Sequence, residues 1–151
     1  MAERYPPLDI TAQWGRLNDE LVALVDYIPE DKLDWSPQAG LWNFRGILLH
    51  IAAARDHWLG QVVRDGDPAR SVYETARSKE EIQRELRRSW ERAARFLSDA
   101  AKLPATHEGR GESFTGHWIA FHLLEHDIHH RADILHYLAL LGIEHPEVGT
   151  P

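Results

Sequence analysis

The chain contains no cysteine, which excludes disulfides, thiolate metal ligands and a cysteine nucleophile. It has no basic excess either: 17 lysines and arginines stand against 24 acidic residues. A net charge of −7 is the wrong sign for a phosphate-binding face. The one basic run, Arg84, Arg87, Arg88, Arg92 and Arg95, is interleaved with Glu80, Glu81, Glu85 and Glu91 and reads as a solvated helix face. No nucleic-acid partner is therefore expected. Long hydrophobic runs are missing too. The opening MAERYPPLDI has no apolar signal core, and no stretch approaches a membrane span. A cytoplasmic location and no membrane contact are expected. Strand-like alternation, internal repeats and low-complexity tracts are likewise missing.

What is present suits one globular unit. With 151 residues, 43% hydrophobic and 27% charged, the chain is long enough to bury most of its apolar surface in a single core. Residues 1–151 are expected to form one domain.

Four segments carry helical periodicity. In the first, Ile10, Trp14, Leu17, Leu21, Leu24 and Ile28 alternate steps of four and three. Asp9 is placed to cap it and Pro29 to end it. Asn43 is the expected cap of a second helix running to about Arg64, with the stripe Ile47, Ile51, Ala54, Trp58 and Val62. Ser78 and Glu81 form a capping-box pattern before a third, with Ile82, Leu86, Trp90, Ala93, Leu97 and Ala100 on one face. The polar stretch HEGRGESFTG reads as a loop. The fourth helix runs from about Phe114 to Leu141, with Gly142 as C-cap. Four amphipathic helices predict an all-α four-helix bundle. The long link between the second and third allows an up-down-down-up order as readily as simple up-down.

Histidine is the anomaly. There are ten, and six of them (His117, His122, His126, His129, His130 and His136) crowd into the fourth helix. That helix has two apolar seams. One is Phe121, Leu124, Ile128, Ala132, Leu135 and Ala139; the other is Ile119, Leu123, His126, His130, Tyr137 and Leu141. His126 and His130 thus hold core-type positions, and their i, i+4 spacing stacks two imidazoles on one face, where both can bind one ion. Unpartnered, each would leave a buried nitrogen unsatisfied at a cost of roughly 1–3 kcal/mol. The competing reading is that both are satisfied by backbone or neighbouring side chains. His50 supplies a third donor, about 60° off the apolar stripe of the second helix by the 3.6-residue period. Three histidines without a fourth protein ligand leave positions open for water and substrate.

His57 and His122 are candidates for a supporting role around that ion, with surface placement the alternative for His57. His122, Glu125 and His126 spell HLLEH, which fits the zinc-protease pattern only loosely because the acid does not follow the first histidine. Asp133, on the same face as His126 and His130, is a candidate to bind the ion, to accept from a ligand imidazole, or to pair with an arginine. His129 reads as exposed or at an interface. His107, His117, His136 and His145 fit no ligand spacing and read as surface residues; Arg131 reads as structural.

The stretch LWNFRGILLHIAAARDHWLG together with EHDIHHRADILHYLALLG resembles the DinB-like family of small metalloproteins, which is unrelated to the DNA polymerase of that name. The specific parts are His50 and the HxxxHR stretch of His126, His130 and Arg131. The resemblance implies an up-down-down-up four-helix bundle, often dimeric, with a three-histidine site for nickel, zinc or a similar ion such as iron or manganese. Some relatives transfer low-molecular-weight thiols or isomerise thiol adducts. In the family the arginine is usually followed by Gly-Gln; here Ala132 and Asp133 stand in those places, which changes the polar group beside the ion.

Two classes of function follow. A metal-dependent enzyme would act on a small-molecule substrate, as a thiol-cofactor-dependent S-transferase or, with water as nucleophile, a hydrolase. A non-catalytic protein would use the ion to staple the bundle, as a stress-response dimer. A homodimer through the fourth helix is expected because a helix in a bundle buries only one broad stripe, leaving the seam from Phe121 to Ala139 to be covered. The alternative cover is the loop 66–77 with Val72 and Tyr73.

Overall fold

The computed structural model describes residues 8–67 and 75–149. Its long elements are α1 (Ile10–Tyr27), α2 (Phe44–His57), α3 (Lys79–Leu97) and α4 (Gly116–Leu140). Local chemistry starts each helix where the sequence says it should. Asp9 accepts from Ala12 N at 3.1 Å, Asn43 from Gly46 N at 2.7 Å, and Ser78 and Glu81 close a reciprocal capping box. Thr115 caps α4, one position after the expected start. Gly142 follows with φ +68, the left-handed turn that ends a helix. The second helix reaches Arg64 as expected, but its last stretch, Trp58–Val63, widens into a π-helical turn.

Cross-helix contacts fix the topology. Trp14 packs on Trp90 while Gln83 reaches Val22 and Asp26, so α1 and α3 are antiparallel. Arg55 meets Leu86 while Asp65 meets Arg92, so α2 and α3 run parallel. Trp42 lies by His130 and Trp58 by Trp118, so α2 and α4 are antiparallel. Trp14 meets Asp127 and Glu20 meets Arg131, so α1 and α4 are parallel. The result is an up-down-down-up four-helix bundle.

Trp14, Ile51, Trp58 and Leu86 are buried, and Trp90, Leu97 and Leu124 pack half-buried against that core. The inward face of α4 keeps Ile119, Leu123 and Tyr137 of the histidine seam but is completed by Asp127, Ile134 and Leu138, which leaves His126 and His130 half-buried at its edge. The seam from Phe121 to Ala139 is partly open: Phe121 is 60% and Ile128 45% exposed, while Leu124 and Leu135 pack half-buried against the core. Val72 and Tyr73, the alternative cover for it, lie outside the described residues.

Two expectations are corrected. The stretch read as a loop forms a β-hairpin, β1 (Thr106–Gly109) against β2 (Glu112–Thr115). Its two-residue turn is Arg110–Gly111, both with positive φ, the geometry that matches strand twist. Its strands are too short and polar to show alternation. The basic run on α3 is not wholly solvated either. Arg92 is buried, and with Arg88 it clamps the fully buried Asp56 of α2 at 3.0 and 2.6 Å.

Candidate metal centre

Residues from two antiparallel helices meet at the middle of the bundle. α2 contributes His50, and α4 contributes His126 and His130, one turn apart. The three rings lie 4.5–5.0 Å apart centre to centre, and one nitrogen from each falls within 4.8 Å of the others. His50 Nε2 and His126 Nε2 are 2.9 Å apart. Two nitrogens on one ion, with bonds of about 2.0–2.1 Å, would be separated by roughly 2.8–3.4 Å. The donor set is therefore spaced for a shared ion. Three imidazoles suit nickel, zinc or iron, whereas manganese prefers oxygen.

The surroundings of His50 and His130 favour the neutral ring, the form that binds metal. Burial, then the neighbouring His126 and His130, lowers the His50 pKa to about 4. Burial and His126 also lower that of His130, against an opposing pull from Asp133.

Each ligand candidate on α4 has a carboxylate behind it. His130 Nδ1 lies 3.0 Å from Asp133 Oδ2, the geometry of an imidazole partner, and Asp133 also forms with His129 and His130 a second, more exposed group whose donor atoms lie within 4.8 Å of one another. This hydrogen bond leaves His130 Nε2 to face the other two rings. Behind His126 stands Asp127, which sequence reasoning missed. Asp127 is fully buried, and its Oδ2 accepts from Trp14 Nε1 at 2.7 Å and from Arg55 Nη2 and Nε at 2.6 and 3.1 Å. Burial raises its pKa, but Arg55, His126 and Trp14 outweigh that and hold the carboxyl below its ordinary value. Its other oxygen, Oδ1, has no hydrogen-bond partner, and neither does His126 Nδ1. The two orphans face each other at 4.0 Å, about 1 Å beyond a charge-assisted hydrogen bond.

The remaining candidates are placed as follows. Trp42 roofs the triad, parallel to His130 at 6.3 Å and edge-on to His50 at 4.2 Å. Tyr137 Oη fixes it by donating to its carbonyl at 2.9 Å. His122 stacks on Trp118 at 5.0 Å and lines a cavity of about 320 Å³ beside the triad, as do His57 and Trp58. Neither His57 nor His122 belongs to the ligand-forming cluster. His129 is 71% exposed in its side chain and 3.8 Å from Asp133. His107 is not simply a surface residue: half-buried, it bonds the Lys102 carbonyl at 2.8 Å inside the hairpin region. Arg131 pairs with Glu20 at 2.6 Å, the structural role expected of it.

The family model of the DinB family matches residues 5–151. The chain belongs to that family. Among solved structures, a DinB family member from Exiguobacterium sibiricum is 20% identical, with a TM-score of 0.75 over 91% of this chain and 92% of its own. A DinB-like protein from Bacillus cereus is 16% identical, with a TM-score of 0.70 over 91% and 93%. One from Bacillus subtilis is 15% identical, with a TM-score of 0.67 over 94% of each chain. At these identities the likeness shows the fold alone. No curated protein matches the chain.

Proposed function

We propose that the protein is a divalent-metal-dependent enzyme whose ion is held by His50, His126 and His130, and that it acts as a thiol-cofactor-dependent S-transferase. The observation that carries this is the convergence of three half-buried imidazoles from two helices, two of which, His50 and His126, line an open cavity. A divalent ion held there would bring the pKa of a bound thiol or water toward neutrality. With no cysteine in the chain, any sulfur nucleophile must come from a small thiol. Ala53, Ala54 and Trp58 give the cavity an apolar wall on which an organic thiol or electrophile can lie. Trp42 shields the triad from one side, Asp133 fixes the His130 ring, and Asp127 stands 4.0 Å behind His126. Nickel or zinc is the ion favoured.

A hydrolase is the second reading. Burial, then His126, keeps His122 below its ordinary pKa, and a neutral imidazole on the cavity wall can take a proton from water. Metal analysis of the purified protein, followed by turnover with thiols and electrophiles, tests the first reading. Unfolding with and without a chelator tests a purely structural ion: a staple between α2 and α4 would lose much of the stability on chelation, whereas a catalytic site would lose activity and keep its fold.

The partly open seam of α4 supports a homodimer. Among the described residues no helix is long and apolar enough to cross a membrane.

A further inference from the structure

The cavity beside the triad has an electrostatic character at odds with the chain that builds it. The protein carries 24 acidic residues, yet among the described residues no carboxylate lines this space of about 320 Å³. Its polar wall consists of His50, His57, His122 and His126 and one cation, Arg110. Glu125 influences His122 through space but does not line the cavity.

Arg110 is delivered there by the hairpin. The residue sits in the turn with φ +54, a left-handed conformation that non-glycine residues rarely hold. The hairpin is docked tightly on the π-helical end of α2: a Cβ on Gly109 would come within 2.7 Å of the Val62 side chain. This close fit aims the Arg110 guanidinium over the Trp58 ring, 5.6 Å from its centre. No carboxylate pairs with Arg110, which is exposed, among the described residues. A guanidinium stacked on an aromatic face keeps its N–H fork free to take a planar oxyanion through two parallel hydrogen bonds.

We propose that this cavity binds a small organic carboxylate, held at its carboxylate end by Arg110 and presenting its other end to the histidine triad. The carboxylate would be part of the thiol or of its acceptor, and this orientation rests on the metal-enzyme reading above. One guanidinium flanked by neutral imidazoles matches a single carboxylate, whereas a phosphate dianion calls for more than one cation.

A matched pair of thiols provides the test. The cobalt-loaded protein is titrated with 3-mercaptopropionate and with 3-mercapto-1-propanol, following the sulfur-to-cobalt charge-transfer band. The carboxylate is expected to bind at least tenfold more tightly, and Arg110→Gln to erase that preference. Equal affinities for the two thiols, or an unchanged preference in R110Q, would overturn the proposal; inorganic phosphate competing better than propionate would overturn its carboxylate assignment. A second arm needs no metal. In the metal-free protein, propionate should shift the Arg110 Nε–H and His122 ring resonances and 1-propanol should not. If cobalt fails to bind while this arm succeeds, the metal reading falls and the carboxylate site stands. No shift with propionate sinks the site itself.

Discussion

Replacing Asp127 by asparagine should damage both the fold and the metal centre, and a second variant separates the two effects. The carboxylate and its partner Arg55 are both fully buried, 2.6 Å apart. Asparagine keeps an acceptor for Trp14 and Arg55 but leaves the guanidinium charge uncompensated inside the bundle. Breaking a buried pair in this way costs about 3–5 kcal/mol. For a chain of this length that corresponds to a fall in melting temperature of about 6–20 °C, measurable by calorimetry. The same change weakens the acceptor facing His126 Nδ1, and loss of such an outer partner typically costs 10–100-fold in metal affinity, read by competition with a chromogenic chelator. In the double variant Arg55→Leu with Asp127→Leu no stranded charge remains, so most of the stability should return. Metal affinity should not return, because nothing then faces His126 Nδ1. If the double variant regains both, Asp127 is only a counter-ion for Arg55. If D127N melts within 2 °C of the parent, the buried pair carries no net stability.

Alanine at His50, His126 or His130 should each take the purified protein from one bound ion per chain to nearly none by elemental analysis, with the helical circular dichroism retained; full occupancy in any of the three would remove that residue from the ligand set. The metal-free protein should lose stability as the pH falls from about 6.5 to about 4, because unfolded His50 protonates near its ordinary value while the folded ring resists until about 4. That single site gives a slope of at most about 1.4 kcal/mol per pH unit, with stability complete above the window; denaturant midpoints flat between pH 6.5 and 4.5 would contradict it. Phe121→Glu should convert a dimer to a monomer in light scattering, since Phe121 is 60% exposed on the partly open α4 seam, whereas a parent protein already monomeric at micromolar concentration would rule out the dimer.

Much of this was legible because it depends on local pattern. The caps at Asp9, Asn43 and Ser78 are side chains within three residues of the amides they satisfy. The pair His126 and His130 lies one turn apart, so a wheel suffices to place both on one face. His50 was legible only as a histidine near an apolar stripe. The hidden part is long-range. Asp127 sits in EHDIHHRAD, where nothing marks one acid as buried, and its partners Trp14 and Arg55 are 113 and 72 residues away. Arg88 and Arg92 alternate with glutamates like any solvated face, and it is Asp56 and Asp65, distant in sequence, that draw them in. The hairpin escaped because an Arg-Gly turn gives a weaker signal than Asn-Gly or Asp-Gly.

The placement of Arg55 explains how a histidine cluster can be held to a single register in a core built largely of apolar residues. Its guanidinium takes Asn18 of α1 at 2.9 Å, the Leu86 carbonyl and Ser89 of α3 at 3.1 and 3.0 Å, and Asp127 of α4 at 2.6 Å. One side chain on α2 thus contacts all three other helices, one residue along α4 from His126. Leucine and isoleucine tolerate sliding and repacking at little cost, but a helix rotated by one residue, about 100°, would carry Asp127 away from Arg55 and strand a charge. The same rotation would turn His126 out of the triad. The register that satisfies the buried charge is therefore the register that assembles the site. On this argument the Leu–Leu double variant should melt near the parent temperature yet show broadened His126 and His130 ring resonances in the metal-free protein. Ring signals as sharp as the parent's would mean that apolar packing alone sets the register.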